Sequence, residues 1–358
     1  MSIGNLSVGG TGKTPVVARI AEWLIERGER PAILSRGYKR QQPMPGVVVV
    51  SDGIEVRSSL ARAGDEPLML AREIPAAIVC VAEDRYLAGV LAERALGATI
   101  HLLDDGFQHV QLERDLDVLV TTMGEIPNGH VLPRGRLREA ADAAARAHCL
   151  VVMGATAGAA TSEGWTLGIG EACGGLRRVE SPRRVPGTEL RSGGDRDRES
   201  GVRRRATAIG SGTREGLSGA ELLPGARVLL VAGIANPQRF AEDVRAAGWD
   251  VAGEMWFADH HAFTAADVAR IAVKARESRA AAVFTTDKDA VRFETLGPVP
   301  FPLFAVPLTV EFDPPTILFE RVSSVLSARS AHPGPEFSGA EAYRRPADGN
   351  RSPAGGLR

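Results

Sequence analysis

A glycine-rich segment near the start of the chain combines the residue types that bind phosphate groups. In SVGGTGKT (7–14), small residues precede a lysine and a hydroxyl. Glycines at this spacing let backbone N–H groups turn towards phosphate oxygens, and the following helix adds positive partial charge at its start. Lys13 would reach the β and γ phosphates of a nucleotide, and the Thr14 hydroxyl would ligate Mg²⁺. The predicted nucleotide-binding residues are Gly9, Gly10, Thr11, Gly12, Lys13 and Thr14.

The segment matches the general phosphate-loop pattern G-x-x-x-x-G-K-[ST] except at its first position, where Ser7 replaces glycine. The alternative interpretation is a glycine-rich turn before a helix. A strand, a loop, a lysine, a hydroxyl and a helix follow one another in the order that nucleotide binding requires, and this order favours the phosphate loop.

Two adjacent aspartates, Asp104 and Asp105, follow the apolar segment TIHLL. A carboxylate at the carboxyl end of a buried strand can hold Mg²⁺ or its waters in a phosphate-loop enzyme. Asp-Asp-Gly also suits a turn or a helix cap, so the pair taken alone leaves both interpretations open. With the phosphate loop present, we favour metal binding. Gln108 and His109 come just after the pair, near the same edge of the predicted sheet.

Two other segments offer a proton acceptor. GDEP places Asp65 and Glu66 at a predicted strand-to-helix junction, and DHH places Asp259, His260 and His261 together far along the chain. Phosphoryl transfer to an alcohol needs a group that accepts the hydroxyl proton, usually a carboxylate oriented by a neighbour. Asp65 paired with one of these histidines across a cleft would serve. The alternative for DHHAFT is a plain helix start, with Thr264 as the N-cap and Asp267 at the third helical position.

A charged segment, TTDKDAVR, follows a predicted buried strand late in the chain. Lys288 or Arg292 in this segment could contact a nucleotide or another domain, or the segment could be a solvated helix start. Lysine is rare here, since four lysines stand among 43 basic residues. A compact ammonium differs chemically from a guanidinium, so the lysines at 13 and 288 are candidates for roles that arginine could not fill.

The segment RGRLRE follows Pro133, includes Gly135 and contains Arg138 and Glu139. It could clamp a phosphate group or form a surface loop. The residue types suit either role, because arginine pairs well with phosphate and both side chains are also common on surfaces.

Composition excludes several classes of protein. The 358 residues include 44% hydrophobic and 24% charged side chains, which is typical of a globular chain with a sizeable core. A net charge of −1 and 5% aromatic residues argue against nucleic-acid binding. Three separated cysteines form no CxxC pair and predict reduced thiols. No apolar run is long enough for a transmembrane helix, and the start does not resemble a signal peptide.

Apolar runs without alternation are separated by amphipathic stretches, which predicts a doubly wound parallel sheet. The expected divisions of the chain are a phosphate-loop domain at 1–172, an irregular basic linker at 173–224, a second α/β domain at 225–312, a helix at 313–327 and a disordered tail at 328–358.

As a set, the motifs of this chain closely resemble the tetraacyldisaccharide 4′-kinase family, the lipid A 4′-kinases of Gram-negative bacteria. The motifs are GNLSVGGTGKTP, SRGY, GDEP, EDR, LDDGFQH, LPRGRLRE, GIANPQRF, FADHHAFT and TTDKDAVR. They occur in the family's order, and the family's loop also lacks the first glycine.

The resemblance implies an activity and a fold. The family transfers the γ-phosphate of ATP, with Mg²⁺, to the 4′-hydroxyl of a tetraacylated glucosamine disaccharide 1-phosphate, giving lipid IVA. The implied fold is a P-loop NTPase-like parallel-sheet domain and a smaller α/β domain joined by a β linker, with the active site between them. The implied partners are the lipid substrate and the inner-membrane surface, with a peripheral location on its cytoplasmic face and no nucleic acid.

The resemblance also implies roles for individual residues. Asp65 matches the family's base, and His260 matches the histidine that assists it. The residues that match positions near the metal and nucleotide are Thr14, Asp104, Asp105 and Glu139. The residues that match polar positions in the cleft are Arg85, Gln108, His109 and Arg138, with Lys288 added from TTDKDAVR.

The chain departs from the family pattern in three respects. Family members usually begin earlier, with an apolar helix that docks on the membrane, so we expect an upstream start or a truncated, soluble form. Asp287 stands where the family commonly has glutamate. The basic segment 177–205 and the tail are longer and more polar than the family needs.

Two other hypotheses compete with a lipid kinase. Another phosphate-loop enzyme, such as an ATP-dependent ligase or a metallochaperone GTPase, would share GGTGKT but would have no reason to combine LDDGFQH with DHHAFT. A truncated copy could bind ATP without turnover. The intact lysine, threonine, aspartates and histidine of the motifs argue against decay of the site.

Overall fold

The computed structural model describes residues 1–123, 125–126, 129–155, 172–179, 182–186, 222 and 225–331. The predicted tail beyond residue 331 and most of the predicted linker 173–224 lie outside these residues.

Strands and helices alternate along the described chain, as the apolar pattern predicted. The strands are β1 Ser2–Gly4, β2 Pro31–Ser35, β3 Val48–Asp52, β4 Ile78–Val81, β5 Ile100–Asp104, β6 Asp117–Thr122, β7 Cys149–Met153, β8 Ala172–Val179, β9 Arg183–Arg184, β10 Arg227–Ala232, β11 Asp250–Trp256, β12 Ala282–Thr286, β13 Leu303–Val306 and β14 Leu308–Asp313. The α-helices are α1 Lys13–Ile25, α2 Leu60–Ala63, α3 Asp65–Glu73, α4 Arg85–Leu96, α5 Pro237–Ala246, α6 Ala265–Glu277, α7 Asp287–Phe293 and α8 Pro315–Ala331. Short 3₁₀ helices span Ala141–Arg146 and Glu294–Leu296.

Within the described residues, the larger sheet has nine strands in the order β14-β8-β7-β6-β1-β5-β2-β4-β3. Its strands run parallel except at the two edges, where β3 is antiparallel to β4 and β14 is antiparallel to β8. The inner strands from β7 to β4 in this order are buried along almost their whole length, because helices cover both faces of a parallel sheet. The predicted parallel-sheet α/β fold is confirmed.

A second sheet is formed mainly by the later part of the chain. Its order is β11-β10-β12-β13-β9 among the described strands, and only β9 is antiparallel to its neighbour. Phe263 and Phe293 stack at 4.0 Å between ring centroids in the core on one face of this sheet. On the other face, Phe240 of α5 packs against the sheet.

The chain passes between the two sheets twice. β8 extends the larger sheet and β9 joins the second one, whereas β14 returns to the larger sheet. The following helix, α8, packs on α1, where Trp23 and Phe319 stack at 4.8 Å. Sheet membership therefore differs from the predicted range 225–312 at its end, because β14 pairs with a strand of the larger sheet over six residues. The division into domains stays a prediction.

Three parallel strands place polar residues at or just beyond their carboxyl ends. β1 ends just before the glycine-rich loop, β5 ends at Asp104, and β12 ends at Thr286, where α7 begins. The carboxyl ends of parallel strands share one edge of a sheet, and ligands of open α/β folds bind outside that edge. The two sheets thus present their ligand-binding edges to a common space.

Candidate active site

A cavity of about 830 Å³ lies between the two sheets and brings most of the predicted site residues together. The predicted residues that line it are Gly9, Gly10, Thr11, Gly12, Lys13, Thr14, Asp65, Arg85, Asp104, Asp105, Gln108, His109, Arg138, His260 and Lys288. Glu139 is the predicted site residue that does not line it. Its carboxylate instead accepts from Gln108 Nε2 at 3.1 Å and pairs with Arg146 at 2.9 Å.

The glycine-rich loop has the backbone that phosphate binding requires. Gly9 and Gly12 have φ values of 111° and 89°, in the left-handed region that favours glycine. A loop from further along the chain holds this loop in place, since Val8 N–H donates to the carbonyl of Arg136 at 2.8 Å and the Arg136 guanidinium donates back to the Val8 carbonyl at 2.7 Å. Helix α1 begins at Lys13 and directs its N-terminus into the cavity.

The two adjacent aspartates have different surroundings. Asp104 is buried, and burial followed by the carboxylates of Glu66 and Asp105 raises its pKa to about 7. Asp105 has a left-handed φ of 53° and lies 3.5 Å from Lys13 Nζ and 2.9 Å from Arg138 Nη1. Asp105 is therefore already paired with two cations, whereas among the described residues Asp104 forms no ion pair and interacts with Lys13 and Arg85 only at longer range.

The donor atoms in this part of the cavity suit Mg²⁺. The hydroxyl of Thr14 and the carboxylate of Asp104 are hard oxygen ligands, and the raised pKa of Asp104 marks a buried carboxylate that a cation would neutralise. The described residues contain no cluster of three or more acidic, histidine or cysteine side chains that could enclose a metal ion.

Asp65 and His260 meet inside the cavity. Asp65 is the first residue of α3, and its Oδ2 lies 2.9 Å from Nδ1 of His260. Burial raises the pKa of Asp65, but His260, Lys288 and Arg292 outweigh burial and hold this pKa below its ordinary value. The carboxylate is therefore ionised at neutral pH and able to accept a hydrogen bond from an alcohol.

The helix-start interpretation of DHHAFT is confirmed as well. Thr264 caps α6 and forms a capping box with Asp267. The cap fixes the end of the segment, while His260 turns back towards the cavity with a φ of 64°. The same short motif thus begins a helix and supplies a side chain to the site.

Lys288 and Arg292 reach the site from α7. Lys288 Nζ lies 2.9 Å from Glu66 Oε1 and 3.3 Å from His260 Nε2. Arg292 is buried and donates to Asp65. Sequence reasoning gave Arg292 only as a contact residue and gave Glu66 no role; the density of charge in TTDKDAVR was the available signal.

Arg85 and His109 also line the cavity. Arg85 is buried, and burial followed by the neighbouring Arg36 lowers its pKa. Burial and Arg85 also lower the pKa of His109. This part of the cavity wall is rich in positive charge and suits an anionic ligand. Among the described residues, no helix is both long and apolar enough to cross a membrane.

Comparisons with known proteins agree with the geometry. The family model described as tetraacyldisaccharide-1-P 4′-kinase (LpxK) matches residues 1–327. A tetraacyldisaccharide 4′-kinase of Geobacter metallireducens is 38% identical over 301 residues, covering 84% of this chain and 79% of that protein. One from Anaeromyxobacter dehalogenans is 39% identical over 295 residues, covering 82% and 72%.

A solved structure is similar as well. The "apo" form of LpxK from Aquifex aeolicus in complex with ATP superposes with a TM-score of 0.65 at 27% identity, covering 90% of this chain and 87% of that one. Family model, relatives and structure all agree over most of the chain. The chain belongs to the tetraacyldisaccharide 4′-kinase family.

Proposed function

We propose that the chain transfers the γ-phosphoryl group of ATP to the 4′-hydroxyl of a tetraacyldisaccharide 1-phosphate, giving lipid IVA. The observation that carries the proposal is the position of Asp65 and His260 in the same cavity as the phosphate loop. Phosphoryl transfer to an alcohol needs at least a base and a phosphate-binding loop that line the same cavity.

The roles follow from the contacts. The loop N–H groups and the start of α1 would hold the nucleotide phosphates, and Lys13 would counter the charge that develops on them. Asp65 would accept the hydroxyl proton, with His260 orienting its carboxylate. Thr14 and Asp104 would hold Mg²⁺, which would supply neutralisation of the phosphate charge. Arg85 and Arg138 on the cavity wall would hold further anionic groups.

The exposed rim of the cavity supports a lipid substrate and a peripheral membrane location. Tyr86 and Val110 follow the cavity residues Arg85 and His109 directly, and they are 61% and 62% exposed. Leu87 beside them is half exposed. Apolar side chains that are left in water next to an anion-binding wall suit an amphiphile with acyl chains and phosphate. We propose the cytoplasmic face of the inner membrane as the place where this rim meets its substrate.

The two-domain division also belongs to this proposal. The phosphate loop lies on the larger sheet, while His260 and Lys288 come from the part of the chain that builds the second sheet. Relative movement of the two parts would open and close the site, and closure would exclude water from the transferred phosphoryl group.

The test follows radiolabelled γ-phosphate from ATP·Mg²⁺ onto tetraacyldisaccharide 1-phosphate in detergent micelles. We expect transfer by the chain and loss of transfer in Lys13→Ala, because the ammonium that stabilises the transition state is gone. Lys274→Ala, which removes an exposed lysine of α6, serves as the matched control. ATP binding without transfer to this acceptor, by this chain and by an upstream-extended form, would contradict the proposal.

A further inference from the structure

We propose that Arg292 is a positioning residue that aligns Asp65 and His260 for the proton transfer. The proposal rests on the proposed function, because it assigns a role within that reaction. Arg292 is 6% exposed and lies on α7, whereas Asp65 begins α3, 227 positions earlier in the chain. The buried arginine therefore contacts the proposed catalytic base across the two parts of the molecule. The spacing of the motifs did not predict this contact.

Arg292 determines which oxygen of Asp65 remains available. Arg292 Nη2 and His260 Nδ1 both contact Oδ2 of Asp65, the latter at 2.9 Å. Among the hydrogen bonds of the described residues, Oδ1 accepts from the Glu66 backbone N–H, at 3.2 Å. Because two strong donors occupy Oδ2, Oδ1 is the oxygen left to receive a substrate hydroxyl.

The same arginine is tied to the backbone of His260 through Gly233. The Gly233 carbonyl accepts from Arg292 Nη1 at 3.1 Å and from the His260 N–H at 3.1 Å. His260 has a φ of 64°, a strained conformation for a residue with a side chain, which persists only when its surroundings hold it. Arg292 and the Gly233 carbonyl together hold both partners of the dyad.

Asp289 anchors the arginine from behind. It is fully buried, its Oδ1 lies 2.5 Å from Arg292 Nη1, and its Oδ2 accepts from the Gly233 N–H at 2.9 Å. The Thr286 hydroxyl donates to the same Oδ2 at 2.9 Å. The guanidinium of Arg292 is thus held by Asp289 on one side and by Asp65 on the other. Its planar, rigid group therefore contacts the proposed base in a fixed orientation.

The charges around Asp65 predict how its protonation depends on Arg292. Its carboxylate faces the cations Arg292 and Lys288 and the ring of His260, with the carboxylates of Glu66 and Asp259 paired to Lys288. Removal of Arg292 takes away one cation, so the pKa of Asp65 rises. The acid limb of the pH–rate profile should then move to higher pH.

The experiment compares wild type, Arg292→Gln and Arg292→Lys in the phosphoryl-transfer assay across pH. For Arg292→Gln we expect kcat to fall about 10²-fold with KM values within about threefold, and the acid limb of kcat/KM to rise by about one pH unit. Arg292→Lys keeps the charge but loses the fork, so it should restore the pH profile more fully than kcat. Arg72→Gln breaks another ion pair between the two parts, with Glu294, and should leave kcat and the profile unchanged.

A second readout does not depend on turnover. Carboxyl ¹³C NMR of labelled Asp65 should report a higher pKa in Arg292→Gln than in wild type, whichever acceptor the enzyme uses. An unchanged acid limb or an unchanged Asp65 titration, with or without lower kcat, would overturn the proposal and leave Arg292 a structural residue. If Arg292→Gln does not fold, Arg292→Lys decides the question. A kcat below that of wild type supports the proposal, and a kcat equal to that of wild type overturns it. A wild-type chain that lacks lipid transfer, together with a higher Asp65 pKa in Arg292→Gln than in wild type, would refute the proposed function alone.

Discussion

Oδ2 of Asp65 lies 2.9 Å from Nδ1 of His260, although 195 positions separate the two residues in the chain. The contact joins the first residue of α3 to a histidine with left-handed backbone, and it sits inside the cavity that the phosphate loop lines. It places a proton acceptor where a nucleotide phosphate and an alcohol could meet.

Asp65→Asn should reduce turnover by about 10²–10⁴-fold, because an amide cannot accept the hydroxyl proton. Nucleotide affinity should stay nearly unchanged, since Asp65 does not belong to the phosphate loop. Steady-state kinetics and calorimetric ATP titration together measure the two effects. Near wild-type turnover would remove Asp65 from the role of base.

Asp104→Asn should raise the Mg²⁺ concentration for half-maximal rate by at least about tenfold, because the buried carboxylate is the strongest oxygen donor beside Thr14. A Mg²⁺ titration of the rate at fixed ATP gives the value. Asp142→Asn changes an exposed aspartate and serves as the control. Equal Mg²⁺ dependence in wild type and Asp104→Asn would exclude Asp104 as a ligand.

Glu73→Gln should alter stability in a pH-dependent way. Burial, followed by Asp287 and Glu22, raises the pKa of Glu73 from 4.5 to about 7. Between these pH values the folded chain keeps a proton that the unfolded chain has lost, so this group makes the free energy of unfolding fall as pH rises. The glutamine variant lacks this loss and should gain on the order of 1–3 kcal/mol over wild type by pH 8.

Denaturant unfolding of Glu73→Gln and wild type at pH 4, 6 and 8 measures this difference. The two proteins should agree most closely at pH 4 and diverge as pH rises. Glu93→Gln, which alters an exposed glutamate of α4, should run parallel to wild type. A constant difference between Glu73→Gln and wild type at all three pH values would show that the folded chain does not hold this proton.

Replacing Tyr86 and Leu87 by serine should weaken binding to vesicles of phosphatidylethanolamine and phosphatidylglycerol by about tenfold or more. Each side chain that enters an apolar phase contributes up to about 1.5–3 kcal/mol. Val273→Ser changes an apolar residue of similar exposure on α6 and controls for surface hydrophobicity. Vesicle co-sedimentation gives the affinities, and equal binding of all three proteins would contradict a membrane-facing rim.

Local sequence determined the elements and much of the candidate site. The glycine-rich loop between a strand and a helix, the buried strand that ends at Asp104 and the capping box at Thr264 were all predicted, and the structure has them at those positions. These features depend on backbone conformation and on hydrogen bonds between residues a few positions apart. Such interactions are fixed by residue type and spacing, so they can be read from the chain alone.

Only the tertiary structure decided which distant side chains meet. It brought Arg292 to Asp65, turned Glu139 towards Arg146 and away from the cavity lining, and returned β14 to the larger sheet. Family resemblance supplied the expectation that Asp65 and His260 pair, but spacing could not, because a separation of 195 positions places no restriction on their distance. Such contacts depend on how the two sheets pack, and packing is a property of the whole chain.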